Sequence, residues 1–363
     1  MAGRRVFAVS LILIGLVLLA NNLGFITWSI RDAFRVLWPV LLVLFGVSLV
    51  LEGTGARAGS GWFAIIALLL IMGVAVATSA RWVPGGGRLW GASEARTRSF
   101  EVAAGAYQPE AVCLRVSLGS SRVSIGESER PGFLFTQATY YTPEDEPRLS
   151  QRMSGGTLTL DYTEKGGRTF GIRFPHRQAR HEIRIADSGV ATGIFVDLGS
   201  GDGTVELGRT KVREMRFDIG SGTLSCHATA AMAGPSEAFT CDVGSGSAEI
   251  AGLGDFKPRD VEVSVGSGSA RVDFQGAWDP GEVPVKLDVG SGSLEVMIPE
   301  GVGFSVTGSI GSGDAYVAGK RYTGREFEHS AHFDTAQVRL RIVADVGSGE
   351  LRVRMAATER TDV

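Results

Sequence analysis

The chain is 363 residues long, 44% hydrophobic and 21% charged, with a formal net charge of −3. That average hides two unlike parts: residues 6–30, 36–51 and 58–80 carry no charge, and nearly every Asp, Glu and Lys lies beyond residue 90. The apolar first part excludes a plain soluble enzyme. Collagen is excluded too, because the 50 glycines lack a three-residue period and only 12 prolines accompany them.

Residues 1–81 read as a membrane region with three helices, over 6–25, 36–51 and 62–80. Val6–Phe25 and Trp62–Ala80 are long enough to cross a ~30 Å hydrocarbon core. Val36–Leu51 is shorter, but Arg35 and Glu52 can reach the interfaces, and Pro39 sits near one end where a missing N–H is tolerated. A cleavable signal would account for Met1–Leu23 alone; no small-residue cleavage site follows, and two more apolar segments do. With three crossings, Arg4, Arg5 and Arg57 share one side. Arg31, Arg35, Arg81, Arg88, Arg96 and Arg98 share the other, and this excess favours the cytoplasm for the large C-terminal part of a multi-pass membrane protein. A re-entrant second segment or a fourth crossing would invert that orientation. Residues 82–99 form a Gly-rich linker, with Trp82 and Trp90 as interfacial anchors or isolated aromatics.

Beyond the linker the sequence repeats itself. Gly-Ser-Gly begins at Gly199, Gly220, Gly244, Gly266, Gly290, Gly311 and Gly347, and ends at Gly201, Gly222, Gly246, Gly268, Gly292, Gly313 and Gly349. Successive starts are 21, 24, 22, 24, 21 and 36 residues apart, and a degenerate copy, Gly119-Ser120-Ser121, lies upstream. Alternating triplets flank each copy, such as Leu287-Asp288-Val289 before and Leu294-Glu295-Val296 after. Period-two alternation over short runs means half-buried strands. Glycine at the breaks offers positive φ and close approach of neighbouring backbones. A unit of roughly 22 residues cannot bury its own apolar face, whereas stacked units can. The expected fold class is therefore N-terminal transmembrane α-helices followed by an all-β, solenoid-like repeat domain over 100–355. Its divergent N-terminal cap is 100–194, its Gly-Ser-Gly repeats are 195–355, and 356–363 is a disordered tail. The cap holds strand-like runs at Val112–Val116, Arg122–Ile125, Thr157–Tyr162 and Glu182–Ile185. The 36-residue gap implies an excursion loop near Lys320–Phe333.

Motifs with possible chemistry are few. Val196-Asp197-Leu198-Gly199-Ser200-Gly201-Asp202-Gly203 is similar to the glycine-rich loop of S-adenosylmethionine-dependent methyltransferases. The same pattern recurs at Asp218, Asp242, Asp288 and Asp345 without intervening helices, so a structural repeat accounts for it better. A calcium β-roll would need a nine-residue period and more Asp per turn. His329, His332 and Asp334 lack the strict spacing of a known metal site. Cys113, Cys226 and Cys241 form no CxxC pair and read as buried small hydrophobes. The basic stretch 168–184 offers Arg173, Arg177, Arg180 and Arg184 for contact with lipid headgroups or a partner, or as a solvated edge. No catalytic residue, cofactor, metal or nucleic-acid partner is expected.

The stretch Ile12–Leu23 with Leu37-Trp38-Pro39-Val40-Leu41-Leu42 and Leu44-Phe45-Gly46 resembles the transmembrane module of LiaI/LiaF-type proteins. Leu114–Ile125, Val196–Leu207 and Leu287–Pro299 are similar to the LiaF-like C-terminal domain, also called toastrack or adhesin-like. The resemblance spans nearly the whole chain. It implies a non-enzymatic bacterial membrane protein of the cell-envelope stress response, acting through protein contacts of the β domain. LiaF-type proteins restrain a sensor histidine kinase, so membrane lipid, a sensor kinase or other envelope protein, and self-association are the implied contacts. The alternative is a surface-exposed, adhesin-like structural module anchored in the membrane. The chain departs from the family in its strong Gly-Ser-Gly regularity and in its three clear spans.

Overall fold

The computed structural model describes residues 95–165, 178–232, 234–323 and 326–356. The three expected membrane helices lie outside the described residues, as does 357–363. Among the described residues no helix is long and apolar enough to cross a membrane.

The described chain is nearly all strand. Its first part holds β1 (Arg96–Val102), β2 (Ala111–Leu118), β3 (Arg122–Ser128), β4 (Leu134–Tyr140), β5 (Pro147–Ser154), β6 (Thr157–Glu164) and β7 (Arg180–Ala186). Five strand pairs follow: β8 (Ala191–Leu198) with β9 (Asp202–Leu207), β10 (Val212–Ile219) with β11 (Thr223–Ala228), β12 (Ala238–Val243) with β13 (Ser247–Ala251), β14 (Val261–Val265) with β15 (Ser269–Asp273), and β16 (Gly281–Val289) with β17 (Ser293–Ile298). The last strands are β18 (Val302–Ile310), β19 (Asp314–Val317), β20 (Lys320–Tyr322), β21 (Glu326–Ala331), β22 (Val338–Val346) and β23 (Glu350–Met355). One α-helical turn, α1 (Leu253–Phe256), interrupts them and buries Leu253 and Phe256. β1 begins inside the expected linker, and Ala356, expected in the tail, is buried and donates its N–H to Ile298 O at 2.8 Å.

Each repeat is a strand, a Gly-Ser-Gly turn and a second strand. First strands pair in parallel with first strands of neighbouring repeats, and second strands with second strands. Two sheets result, of 12 and 11 strands. Alternation then decides the interior. In β16, Val283, Val285, Leu287 and Val289 point inward and are buried, while Glu282, Lys286 and Asp288 are exposed. Phe217, Phe239, Phe256, Phe274 and Phe304 are fully enclosed in one continuous core.

The turn glycines are present for one of the two expected reasons and not the other. None of the seven Gly-Ser-Gly turns has a glycine at positive φ. A Cβ on the second glycine of any turn would fall well inside contact distance of the carbonyl oxygen beneath it, as Gly268 does over Gly246 O. On the first glycine it would lie 2.6–3.0 Å from the equivalent oxygen. Neighbouring turns therefore hydrogen-bond directly: Ser221 N to Gly199 O at 2.6 Å, Ser267 N to Gly244 O at 2.7 Å, Ser291 N to Gly266 O at 2.7 Å. The inter-strand ladder passes through the turn without a break.

The stacking order departs from chain order at both ends. After β16–β17 the neighbouring repeat is β22–β23, and the earlier β18–β19 lies outside it. The expected excursion loop is thus replaced by β20 and β21, antiparallel strands along the edges of the outermost repeat. A loop was the wrong expectation because spacing along the chain does not reveal that the chain overshoots and returns. The N-terminal end repeats the device. β2–β3 stacks on β8–β9, the later β6–β7 lies outside, and β4 and β5 run antiparallel along its edges with β1 beyond β4.

Replacing Gly268 by Ala should destabilise the protein by about 1–3 kcal/mol, the cost of forcing a methyl group into close-packed structure. Ser267→Ala in the same turn is exposed and should stay within about 0.5 kcal/mol. Thermal unfolding of the detergent-solubilised full chain measures both, and equal losses would contradict the close-approach explanation.

Candidate interaction surface

In-register stacking turns each outward position into a row. On the 11-stranded sheet, Asp197, Asp218 and Asp242 are direct cross-strand neighbours, and Asp288 pairs with Asp345 beyond Ser264. Like charges so placed repel. Arg216 donates to Asp242 at 2.8 Å and Ser309 to Asp345 at 2.6 Å, which relieves the row in part. The methyltransferase-like segment is one strand, turn and strand of this series. Its Asp202 is engaged by Thr223 at 2.8 Å and by Arg122 at 3.0 Å, and these hydrogen bonds hold its carboxyl below the usual range.

The 12-stranded sheet carries a groove of about 600 Å³ on its outer face. Its floor is a row of short hydroxyls, Thr223, Ser247, Ser269 and Ser293, followed by Glu350. Beside it runs Ser225, Glu249, Arg271, Glu295 and Arg352. This polar, charge-alternating strip can exchange hydrogen bonds and ion pairs with a docked protein.

One pair on β11, whose Ser225 lines the groove, escaped sequence reading. Ser225 Oγ and His227 Nε2 stand 2.6 Å apart, two residues along one strand face, and a Ser-x-His pattern inside an alternating strand is the signal that would have shown it. No carboxylate bonds His227 among the described residues, and the backbone of β11 is already paired with β9 and β13. The pair therefore lacks both an orienting acid and free backbone donors to hold an oxyanion.

Two carboxylates tie the N-terminal end together. Glu164 accepts from Gly119 N–H at 3.1 Å and from Ser121 Oγ, while His181 Nε2 lies at 3.1 Å and Tyr162 OH stands 2.9 Å from His181 Nδ1. In the regular repeats the first turn glycine donates to a backbone carbonyl of the neighbouring repeat. β6–β7 has no Gly-Ser-Gly turn, and the Glu164 carboxylate takes the carbonyl's place. Glu127 accepts from three consecutive backbone N–H groups, of Gly208 at 2.9 Å and of Arg209 and Thr210 at 2.6 Å. Burial pushes both carboxyls up, but these donors outweigh it and hold them below the ordinary glutamate range. Burial also raises the Tyr162 hydroxyl.

The remaining candidates are placed as follows. Arg180 and Arg184 lie exposed on β7, where Arg184 donates to Glu182 at 2.8 Å; Arg173 and Arg177 lie outside the described residues. His329 bonds Tyr322 OH at 2.9 Å and stacks on Phe304, while His332 sits in a turn at φ 54°. Among the described residues no three His, Cys, Asp or Glu side chains converge as a metal-holding set. Cys226 and Cys241 are buried in the core, where burial raises both thiols, Cys241 to about 12; Cys113 is half-buried and shifted the same way.

A carboxyl whose folded pKa is depressed contributes stability above its unfolded pKa, and that contribution is lost as pH falls through the folded value. Acid should therefore weaken the protein below about pH 4.5. Glu127→Gln and Glu164→Gln should each cost on the order of 1 kcal/mol at pH 7 and flatten the acid limb of a stability-versus-pH curve. An unchanged acid limb in both variants would refute this assignment.

Residues 5–50 match the family model of the LiaI-LiaF-like transmembrane region. No curated protein matches the chain. A candidate cell adhesion protein from Clostridium sporogenes is similar at 13% identity and TM-score 0.40, over 72% of this chain and 100% of that one. Candidate adhesins from Bacteroides fragilis (11%, TM-score 0.31) and Parabacteroides distasonis (13%, TM-score 0.32) each align over 72% of this chain and 97% of theirs. Likeness at this level leaves the function of the β domain to be argued from its own residues. The N-terminal segment is thus similar to the LiaI-LiaF-like transmembrane region, and the chain is membrane-associated through it.

Proposed function

We propose that this chain is a non-enzymatic bacterial membrane protein whose β domain, a solenoid of the toastrack type, acts as a regulator or scaffold in cell-envelope stress signalling. One observation carries the reading. A LiaI-LiaF-like transmembrane segment at 5–50 is joined to a repeat stack whose two outer faces present polar and charged side chains in regular rows. Such faces suit protein contact: the backbone is fixed by the ladders on both sides, so docking orders only side chains. The partner is a sensor kinase or another envelope protein. The arginine count about the apolar segments favours the cytoplasmic side, where restraint of a kinase is feasible.

Two measurements test this. A single reporter cysteine at Thr361, with the three native cysteines replaced, should be protected in intact cells from a membrane-impermeant thiol reagent. Labelling would favour the surface-exposed, adhesin-like module. Cross-linking in membranes should also capture an envelope or signalling protein, and deletion should alter the envelope-stress response. Failure of both would overturn the regulatory reading.

A further inference from the structure

One charge row on the 12-stranded sheet reads the same from either end with its signs exchanged. In spatial order on β13, β15, β17 and β23 stand Glu249, Arg271, Glu295 and Arg352, each the cross-strand neighbour of the next. A twofold axis lying between two facing sheets, parallel to the strands and midway between β15 and β17, sets Glu249 against the partner's Arg352 and Arg271 against the partner's Glu295, each twice. From this we infer that two copies of the chain associate face to face through the groove, in an isologous dimer. The inference deepens the scaffold reading by naming a second copy as an occupant of the same face.

The flanking rows agree with this axis. It places Ser247 over the partner's Glu350, Ser269 over the partner's Ser293, Asp273 over the partner's Met297 and Ala251 over the partner's Arg354, so no like charges meet across these four strands. Both copies share the ~4.8 Å strand spacing, so the rows mesh without adjustment. The short serines on the groove floor let the longer side chains of the other copy approach. The charges are also available. Glu249 is exposed without an ion partner among the described residues, and the in-chain pair Arg271–Glu295 is loose at 3.9 Å; Arg354 pairs with Glu295 at 2.9 Å and Arg352 with Glu350, surface ion pairs that are worth little and can exchange. The other sheet cannot serve in this way, because its row of Asp197, Asp218, Asp242, Asp288 and Asp345 would meet its own like charges.

The face offers roughly 500 Å² per copy, from strand spacing and rise, which is below the ~800 Å² of a standard interface. The dimer is therefore weak in dilute solution and favoured where membrane anchoring concentrates the copies.

The test uses full-length chains in membranes, in a Cys113→Ser background. One population carries Ser247→Cys and the other Glu350→Cys. The axis brings these two positions together between copies and keeps each far from its own equivalent. Mild oxidation should cross-link the co-expressed mixture roughly tenfold more than either population alone, a difference worth about 1.4 kcal/mol. Arg271→Glu should remove most of that product, and adding Glu295→Arg should restore it. Equal cross-linking in single and mixed populations, or failure of the second reversal to restore the product, would overturn the dimer. Neither result bears on the side of the membrane or on kinase capture, so the scaffold reading stands or falls separately.

Discussion

The approach of one turn's backbone to the next, made possible by the second glycine of each Gly-Ser-Gly, is the constraint on which the rest depends. A side chain there would occupy the position of a carbonyl oxygen in the neighbouring repeat. Because that space is empty, the turn joins the hydrogen-bond ladder instead of interrupting it, and successive repeats stay in register across both sheets. Register then fixes the core, since every inward Val, Leu, Ile or Phe meets its equivalents above and below. It also fixes the surface, where each outward position becomes a row. The repelling aspartates of one sheet and the alternating Glu-Arg row of the other follow from one geometric rule applied to two sequence positions.

A stack built this way has exposed strand edges at its ends, which invite unwanted pairing. Both ends are closed by the same manoeuvre. The chain lays down an outermost repeat, edges it with antiparallel strands, and places the first and last repeats of the sequence, β2–β3 and β22–β23, one layer inside. Once β1 has peeled from its edge, unravelling from either terminus must therefore pull a strand pair from between two others. At the N-terminal end a side chain completes the closure: Glu164 supplies the acceptor that a Gly-Ser-Gly turn would have supplied as backbone, held in place by His181 and Tyr162.

Much of the strand pattern could be read from the residues. Triplets such as Leu287-Asp288-Val289 and Leu294-Glu295-Val296 carry the period of two, and both lie in strands with the expected faces inward. What could not be read was the order of stacking. The turn at Gly347 has the same local chemistry as the turn at Gly311, and either could sit on Gly290; the edge strands β20 and β21 decide it. The Glu164–His181–Tyr162 network escaped for the same reason, because it exists only once β6–β7 is known to lie outside β2–β3. Positive φ was a misreading of the glycines, since composition shows that a side chain is absent but not which backbone conformation uses the absence.

The stacking order can be tested with two cysteine pairs in the purified full chain. Ser291 Oγ and Ser348 Oγ stand 3.1 Å apart on adjacent turns, whereas Ser312 lies one turn further out. Ser291→Cys with Ser348→Cys should form a disulfide rapidly under mild oxidation, and Ser291→Cys with Ser312→Cys should not. The opposite result, a bridge between 291 and 312 and none between 291 and 348, would show the repeats stacked in simple chain order and contradict the architecture described here.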